Sequence, residues 1–160
     1  EASVAVLLAK AEELKQLIEK VKQKEDVWPN DGDVYYNIDS CGEVSDSRWD
    51  NDEWDEARME IGNVFRTKED AEKALAKREI ETKLRTLVEK AWKDSGKELK
   101  WAGNNTPNKY HLFYDHNQNI FEVDANAIAQ HIGQVFFPTD ESARDAVKEI
   151  GEDNLKLLLM

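Results

Sequence analysis

The side chains able to do chemistry are few and scattered. Three histidines, His111, His116 and His131, fall on a strand, a turn and a pre-strand position, with no His-Glu-x-x-His pair and only one cysteine. A zinc or hydrolytic site needs several such donors converging at fixed spacing, which this pattern does not offer. Neither Gly-x-Gly nor Gly-Lys-Ser/Thr occurs, so the sequence lacks the backbone cradle that holds phosphates at a helix N-terminus. Asp50, Asp52 and Asp55 crowd together near Asp31-Gly32-Asp33 in the manner of calcium ligands. The fifth place of a loop starting at Asp50 is Trp54, which has no oxygen to give, and no glycine follows it. We expect no catalytic residue, no metal and no cofactor.

Binding chemistry is better represented. In the stretch from Asp46 to Glu56, carboxylates alternate with Trp49 and Trp54. Carboxylates spaced along a strand and a short helix can approximate the phosphates of a nucleic acid and fill a basic groove, while a tryptophan supplies an anchor in a dry pocket. The expected partner-binding set is Asp46, Trp49, Asp50, Asp52, Glu53, Trp54, Asp55 and Glu56. Alternatively the charges form a solvated face over a tryptophan core. A second chemistry would use Arg48, Arg58 and Arg66 to meet the anion of a small ligand, such as a nucleotide signal, between two modules.

The charge distribution bears on these options. The chain has a net charge of −12, and residues 26–60 hold twelve acids against only Arg48 and Arg58. Such a block repels nucleic acid and anionic membrane, so the acidic face should bind neither directly. Cys41 is the single cysteine, which excludes an intrachain disulfide and suits a reducing cytoplasm. No apolar run approaches the roughly 20 residues of a membrane span.

The elements that must position these groups begin with an amphipathic helix over residues 1–27. Val4, Leu7, Ala11, Leu14, Ile18 and Val21 alternate at spacings of three and four, the seam of a coiled coil. That seam either docks on the protein's own body or makes a homo-oligomer. Lys10, Lys15, Lys22 and Lys24 flank it and would face one another in a symmetric pair, weakening self-association. Trp28-Pro29-Asn30-Asp31-Gly32 ends this region. Residues 28–94 then read as a first module: a hairpin from Val34 to Trp49 turning at Asp39-Ser40-Cys41-Gly42, a short helix within 50–60, a strand at Ile61 to Arg66, and a long helix capped by Thr67. A polar loop over 95–109 leads to a shorter module over 110–160. It repeats the hairpin, predicts a strand at Ile132 to Phe137 and a helix capped by Thr139, and ends in an apolar tail.

The two modules match in detail. Ile61-Gly62-Asn63-Val64-Phe65 answers Ile132-Gly133-Gln134-Val135-Phe136, and Thr67 through Ala71 answers Thr139 through Ala143, with one residue inserted at Phe137-Pro138. The expected fold is α+β, an amphipathic coiled-coil-like helix followed by two hairpin-strand-helix modules with mainly antiparallel sheet.

Tyr35-Tyr36-Asn37-Ile38-Asp39, Gly42-Glu43-Val44, Trp49, Gly62-Asn63-Val64-Phe65, Thr67 and Glu69-Asp70-Ala71-Glu72 together resemble a family of uncharacterised proteins encoded by bacteriophages and prophages of Gram-positive and related bacteria. Cys41 departs from the aspartate or asparagine expected in that family's turn. The resemblance implies a phage accessory product in the cytoplasm of a bacterial host. Joined to the acidic block, it predicts a non-enzymatic protein that binds and modulates a host or phage protein, as a DNA mimic or an inhibitor of a host defence enzyme. The alternatives are a protein that sequesters a small ligand and a virion or assembly component.

Overall fold

A computed structural model describes residues 6, 9–18, 28–101, 106–127 and 134–159. Helix α1 covers residues 9–18 of the expected N-terminal helix. Strands β1 (Val34–Ile38) and β2 (Val44–Arg48) precede helices α2 (Glu53–Glu60) and α3 (Lys68–Ser95). Strands β3 (Lys109–Asp115) and β4 (Ile120–Asn126) follow, then α4 (Asp140–Ile150), α5 (Glu152–Lys156) and a closing 3₁₀ turn at Leu157–Leu159. The fold is α+β with antiparallel sheet, as the sequence predicts. β1 pairs with β2 from Val34↔Arg48 to Ile38↔Val44, and β3 with β4 from Lys109↔Asn126 to Asp115↔Ile120. Among the described residues, no helix is long and apolar enough to cross a membrane.

The chain divides into two compact units, residues 1–71 and 72–160. The boundary falls inside α3, whereas the sequence placed it after that helix. The reason lies in the apolar stripe of α3. Leu84, Leu87, Val88 and Ala91 pack with Phe137, Ala143, Ala146, Tyr110, Leu112 and Val123, so most of α3 builds the core of the second unit. On α4, Ala143, Ala146 and Ile150 are buried at helical spacing. Gly151 then ends the helix at φ +88, a conformation that side chains disfavour, and its N–H closes on the Val147 carbonyl at 2.9 Å.

The repeat is real, and its register differs from the one expected. Neither Ile61 to Arg66 nor the described part of Ile132 to Phe137 forms a strand. Each segment contributes one isolated bridge instead, Tyr36↔Phe65 in the first unit and Tyr110↔Phe137 in the second. Phe65 therefore corresponds to Phe137, not to Phe136, and no insertion separates bridge from cap. Two residues past each bridge, a threonine hydroxyl accepts a backbone N–H three residues on, from Asp70 and from Ser142, both at 3.1 Å. Ala71 and Ala143 then occupy equivalent, fully buried places. The residues on either side of each bridged tyrosine are buried too: Tyr35 and Asn37 in one unit, Lys109 and His111 in the other.

The hairpin turns are also alike. Asp39 Oδ1 accepts the N–H groups of Cys41 and Glu43, and Asp115 Oδ1 those of Asn117 and Gln118. Such side-chain-to-backbone bonds are why an aspartate opens each turn. From the bridged tyrosine to this aspartate the chain advances from Tyr36 to Asp39 in one unit and from Tyr110 to Asp115 in the other, so the second hairpin arm is longer.

Candidate functional site: the acidic segment between β2 and α2

The acidic segment starts where β2 ends. Asn51 takes a left-handed φ of 59°, a conformation asparagine tolerates better than most residues, and this turns the chain toward α2. Asp52 caps that helix: its carboxylate accepts the N–H groups of Trp54 at 2.9 Å and Asp55 at 2.8 Å. Glu53, Asp55 and Glu56 occupy the first turn, where the helix dipole favours negative charge.

The expected binding residues divide into two groups. Asp46, Asp50, Asp52, Glu53 and Glu56 are exposed, and Trp54 is exposed over 68% of its surface. Trp49 and Asp55, expected among the contact residues, are buried instead, at 7% and 3% exposure, and belong to the interior. Trp49 stands edge-on against the Tyr35 ring, with centroids 5.9 Å apart and planes at 71°. Asp55 accepts the Tyr35 hydroxyl on Oδ1 at 2.6 Å and the Asp50 N–H on Oδ2 at 2.9 Å. Arg58 donates to the Tyr35 hydroxyl oxygen at 2.6 Å and lies 3.9 Å from the Asp55 carboxylate. The buried pair thus fastens the acidic segment to β1.

Electrostatics follow this geometry. Burial pushes the Asp55 carboxyl up, but the donors from Tyr35 and Asp50 and the nearby Arg58 charge outweigh it, so its pKa lies below the ordinary value. Burial raises the Tyr35 hydroxyl, and its bond to Asp55 raises it further. Asp50 is also raised, chiefly by sharing a hydrogen bond with Asp55.

Oxygens of Asp50, Asp52 and Asp55 lie within 4.8 Å of one another, a spacing a cation could bridge. Protein donors already engage Asp55 on both oxygens and Asp52 on one. The cluster is accounted for by capping and by the Tyr35 contact.

The three arginines of the alternative ligand site answer to separate partners. Arg48 reaches the Gly32 carbonyl at 3.5 Å, Arg58 serves Tyr35, and the Arg66 guanidinium lies 5.2 Å from the centre of the Trp28 ring. An open hollow in the second unit, about 480 Å³, is lined by Val88, Trp92, Leu99, Trp101 and Phe136 together with Glu89. Its walls are apolar and aromatic, and its one charged residue is an acid, which does not suit an anionic ligand.

In the N-terminal seam, Ala11, Leu14 and Ile18 are helical and exposed, whereas Val4, Leu7 and Val21 lie outside the described residues. Sequence reasoning missed two buried polar features. Asn63 uses its side-chain amide to accept the Ile38 N–H at 3.0 Å and to donate to the Ile38 carbonyl at 2.8 Å. Lys109, fully buried, donates to the carbonyls of Pro107 and Ala127 at 3.0 and 2.9 Å and sits 4.3 Å from the centre of the Trp101 ring. A lysine at the head of a run of strand-forming residues, as in Lys109-Tyr110-His111-Leu112-Phe113, was the available signal. Comparisons with protein-family models, with curated proteins and with solved structures found no match to this chain.

Proposed function

We propose that this chain is a non-enzymatic binding protein that engages a basic surface on a protein partner through the exposed carboxylates of residues 46–56, with Trp54 as the anchor. The observation that carries this reading is the 68% exposure of Trp54 beside Asp50, Asp52, Glu53 and Glu56. A large aromatic ring left in water while Trp49, five residues away, is fully packed has no role in the core, and aromatic side chains ringed by polar groups dominate binding energy at interfaces. Ile61, seven residues on from Trp54 at the end of α2 and 72% exposed, adds apolar content on the same side of the helix. The buried Tyr35–Asp55 contact holds the segment in place and lowers the ordering cost of binding. The phage setting implied by the sequence resemblance makes a host or phage protein the natural partner, with inhibition by nucleic-acid mimicry as one form of the activity.

The test is capture from bacterial lysate by the full chain, compared with Trp54→Ala and with Asp50→Asn/Glu53→Gln/Glu56→Gln. We expect both variants to lose the captured protein, and the unmodified chain to release it as salt rises, because exposed charges are screened within about 10 Å at 0.1 M. Capture that survives both variants, each with an unchanged melting temperature, refutes this surface.

A further inference from the structure

Helix α2 is fastened to the first unit along one narrow side. Asp55 is buried and Arg58 half-buried, while every other residue of the helix is exposed. So short a helix has little stability in water on its own. The Asp52 cap and the Tyr35–Asp55 contact hold it instead, and it stands on the unit as a ridge.

Two stripes run along this ridge. Trp54, Ala57 and Ile61 follow one another at spacings of three and four and so share one side. The two large side chains are 68% and 72% exposed and lie about 10 Å apart along the axis, with the small Ala57 between them. A glutamate precedes each of the three: Glu53, Glu56 and Glu60, all exposed. One residue turns a helix by about 100°, so these acids form a second stripe on one flank of the first. Among the described residues no side chain pairs with them. The other flank carries Arg58, turned inward to the Tyr35 hydroxyl at 2.6 Å. This arrangement decides against a second copy of the chain. An antiparallel copy would set glutamates against glutamates, and a parallel one would need Arg58 to leave Tyr35 and answer three acids alone.

We propose that α2 enters a groove on the partner protein, with an apolar floor that takes Trp54 and Ile61 and with Lys or Arg along the one wall that meets Glu53, Glu56 and Glu60. The inference rests on the function proposed above and deepens it, since the partner then offers a helix-binding groove with one basic wall instead of a basic surface at large. A helix exposed around most of its girth buries more in a groove than on a flat face, and Ala57 lets the floor approach the backbone between the two anchors.

The probe is a pair of synthetic four-heptad helices joined by a disulfide, whose Leu and Ile seam leaves one groove open. One version carries Lys along one wall, and the other carries Glu there. Each is titrated into the nitrogen-15-labelled full chain, where the indole N–H resonance of Trp54, identified by its absence in Trp54→Phe, reports occupation of α2. We expect the Lys pair to bind about tenfold or more tightly than the Glu pair, with the gap narrowing as salt rises. Glu60→Gln should weaken the Lys pair measurably, and Ala57→Arg/Ile61→Asp should weaken it about tenfold or more at an unchanged melting temperature. Equal binding of the two pairs, no shift with either, binding kept by the double variant, or a dimer of the chain in sedimentation equilibrium that the double variant dissolves would each overturn the groove. In the lysate capture, a protein lost with Trp54→Ala but kept by the double variant overturns the groove and leaves the acidic surface standing. A protein kept by both, and by the acid-neutralised variant, removes the two readings together.

Discussion

Replacing Tyr35 with Phe isolates the contact that fastens the acidic segment to β1. The ring and its edge-on packing against Trp49 are kept, and only the hydroxyl that donates to Asp55 and accepts from Arg58 is removed. Arg58 is 36% exposed at its side chain and can turn to water, whereas Asp55 is 4% exposed at its side chain and cannot. The loss is therefore dominated by one hydrogen bond to a buried carboxylate, about 1.5–3 kcal/mol. The pH dependence gives a second handle. The folded pKa of Asp55 is lowered, with Tyr35 among the causes. Its contribution is thus complete above the unfolded value near 3.8 and is lost as pH falls through the folded value. The difference between wild type and Tyr35→Phe should be constant from neutral pH down to that range and then shrink. A fluorophore on Cys41, the single cysteine and exposed in the β1–β2 turn, reports urea unfolding of the first unit. A loss under about 0.5 kcal/mol, the usual range of surface substitutions, or a difference that does not change on acidification, would refute the assigned role of Asp55.

Two further outcomes concern the second unit. Thr139→Ala removes the hydroxyl that accepts the Ser142 N–H at 3.1 Å and should cost about 1 kcal/mol in thermal unfolding, with Thr139→Ser restoring most of it. Lys109 is held below the ordinary lysine value of 10.5 by burial, so its folded state disfavours the proton. The wild type should accordingly gain stability relative to Lys109→Met as pH rises from neutral toward that value, measured by denaturant midpoints across the alkaline range; a constant gap would show that Lys109 titrates alike in both states.

Much of the fold was legible because local chemistry dictates it. Both hairpins, both aspartate-led turns, both threonine caps and α2 follow from residues close in sequence. The segment at Ile61 to Arg66 was misread for a specific reason. Its β-forming residues suggested a strand, but Gly62 at φ +67 turns the chain after α2, and the place beside Ile38 is taken by the Asn63 side chain instead of a backbone strand. The candidate site was half legible. Its exposed acids were apparent from composition, but whether Trp49 or Trp54 faces inward depends on Tyr35, fourteen and more residues upstream, and no local spacing records that contact. Asp55 was counted with the surface for the same reason: its partner comes from another element.

The longer arm of the second hairpin shows which length changes the module can absorb. Tyr110 precedes its turn aspartate by five positions and Tyr36 precedes its own by three, a difference of two, which is the side-chain period of a strand. Growth by an even step leaves inward neighbours inward, so Tyr35 and Lys109, and Asn37 and His111, keep the same orientation although the arms have drifted apart in length. An odd step there would have turned each arm inside out. The one-residue offset between the two Ile-Gly stretches and their bridges meets no paired ladder among the described residues, where parity has no hold. Duplicated modules of this kind should therefore tolerate hairpin extensions in pairs and single insertions only between turn and bridge, a rule that can guide grafting of new sequence into either unit.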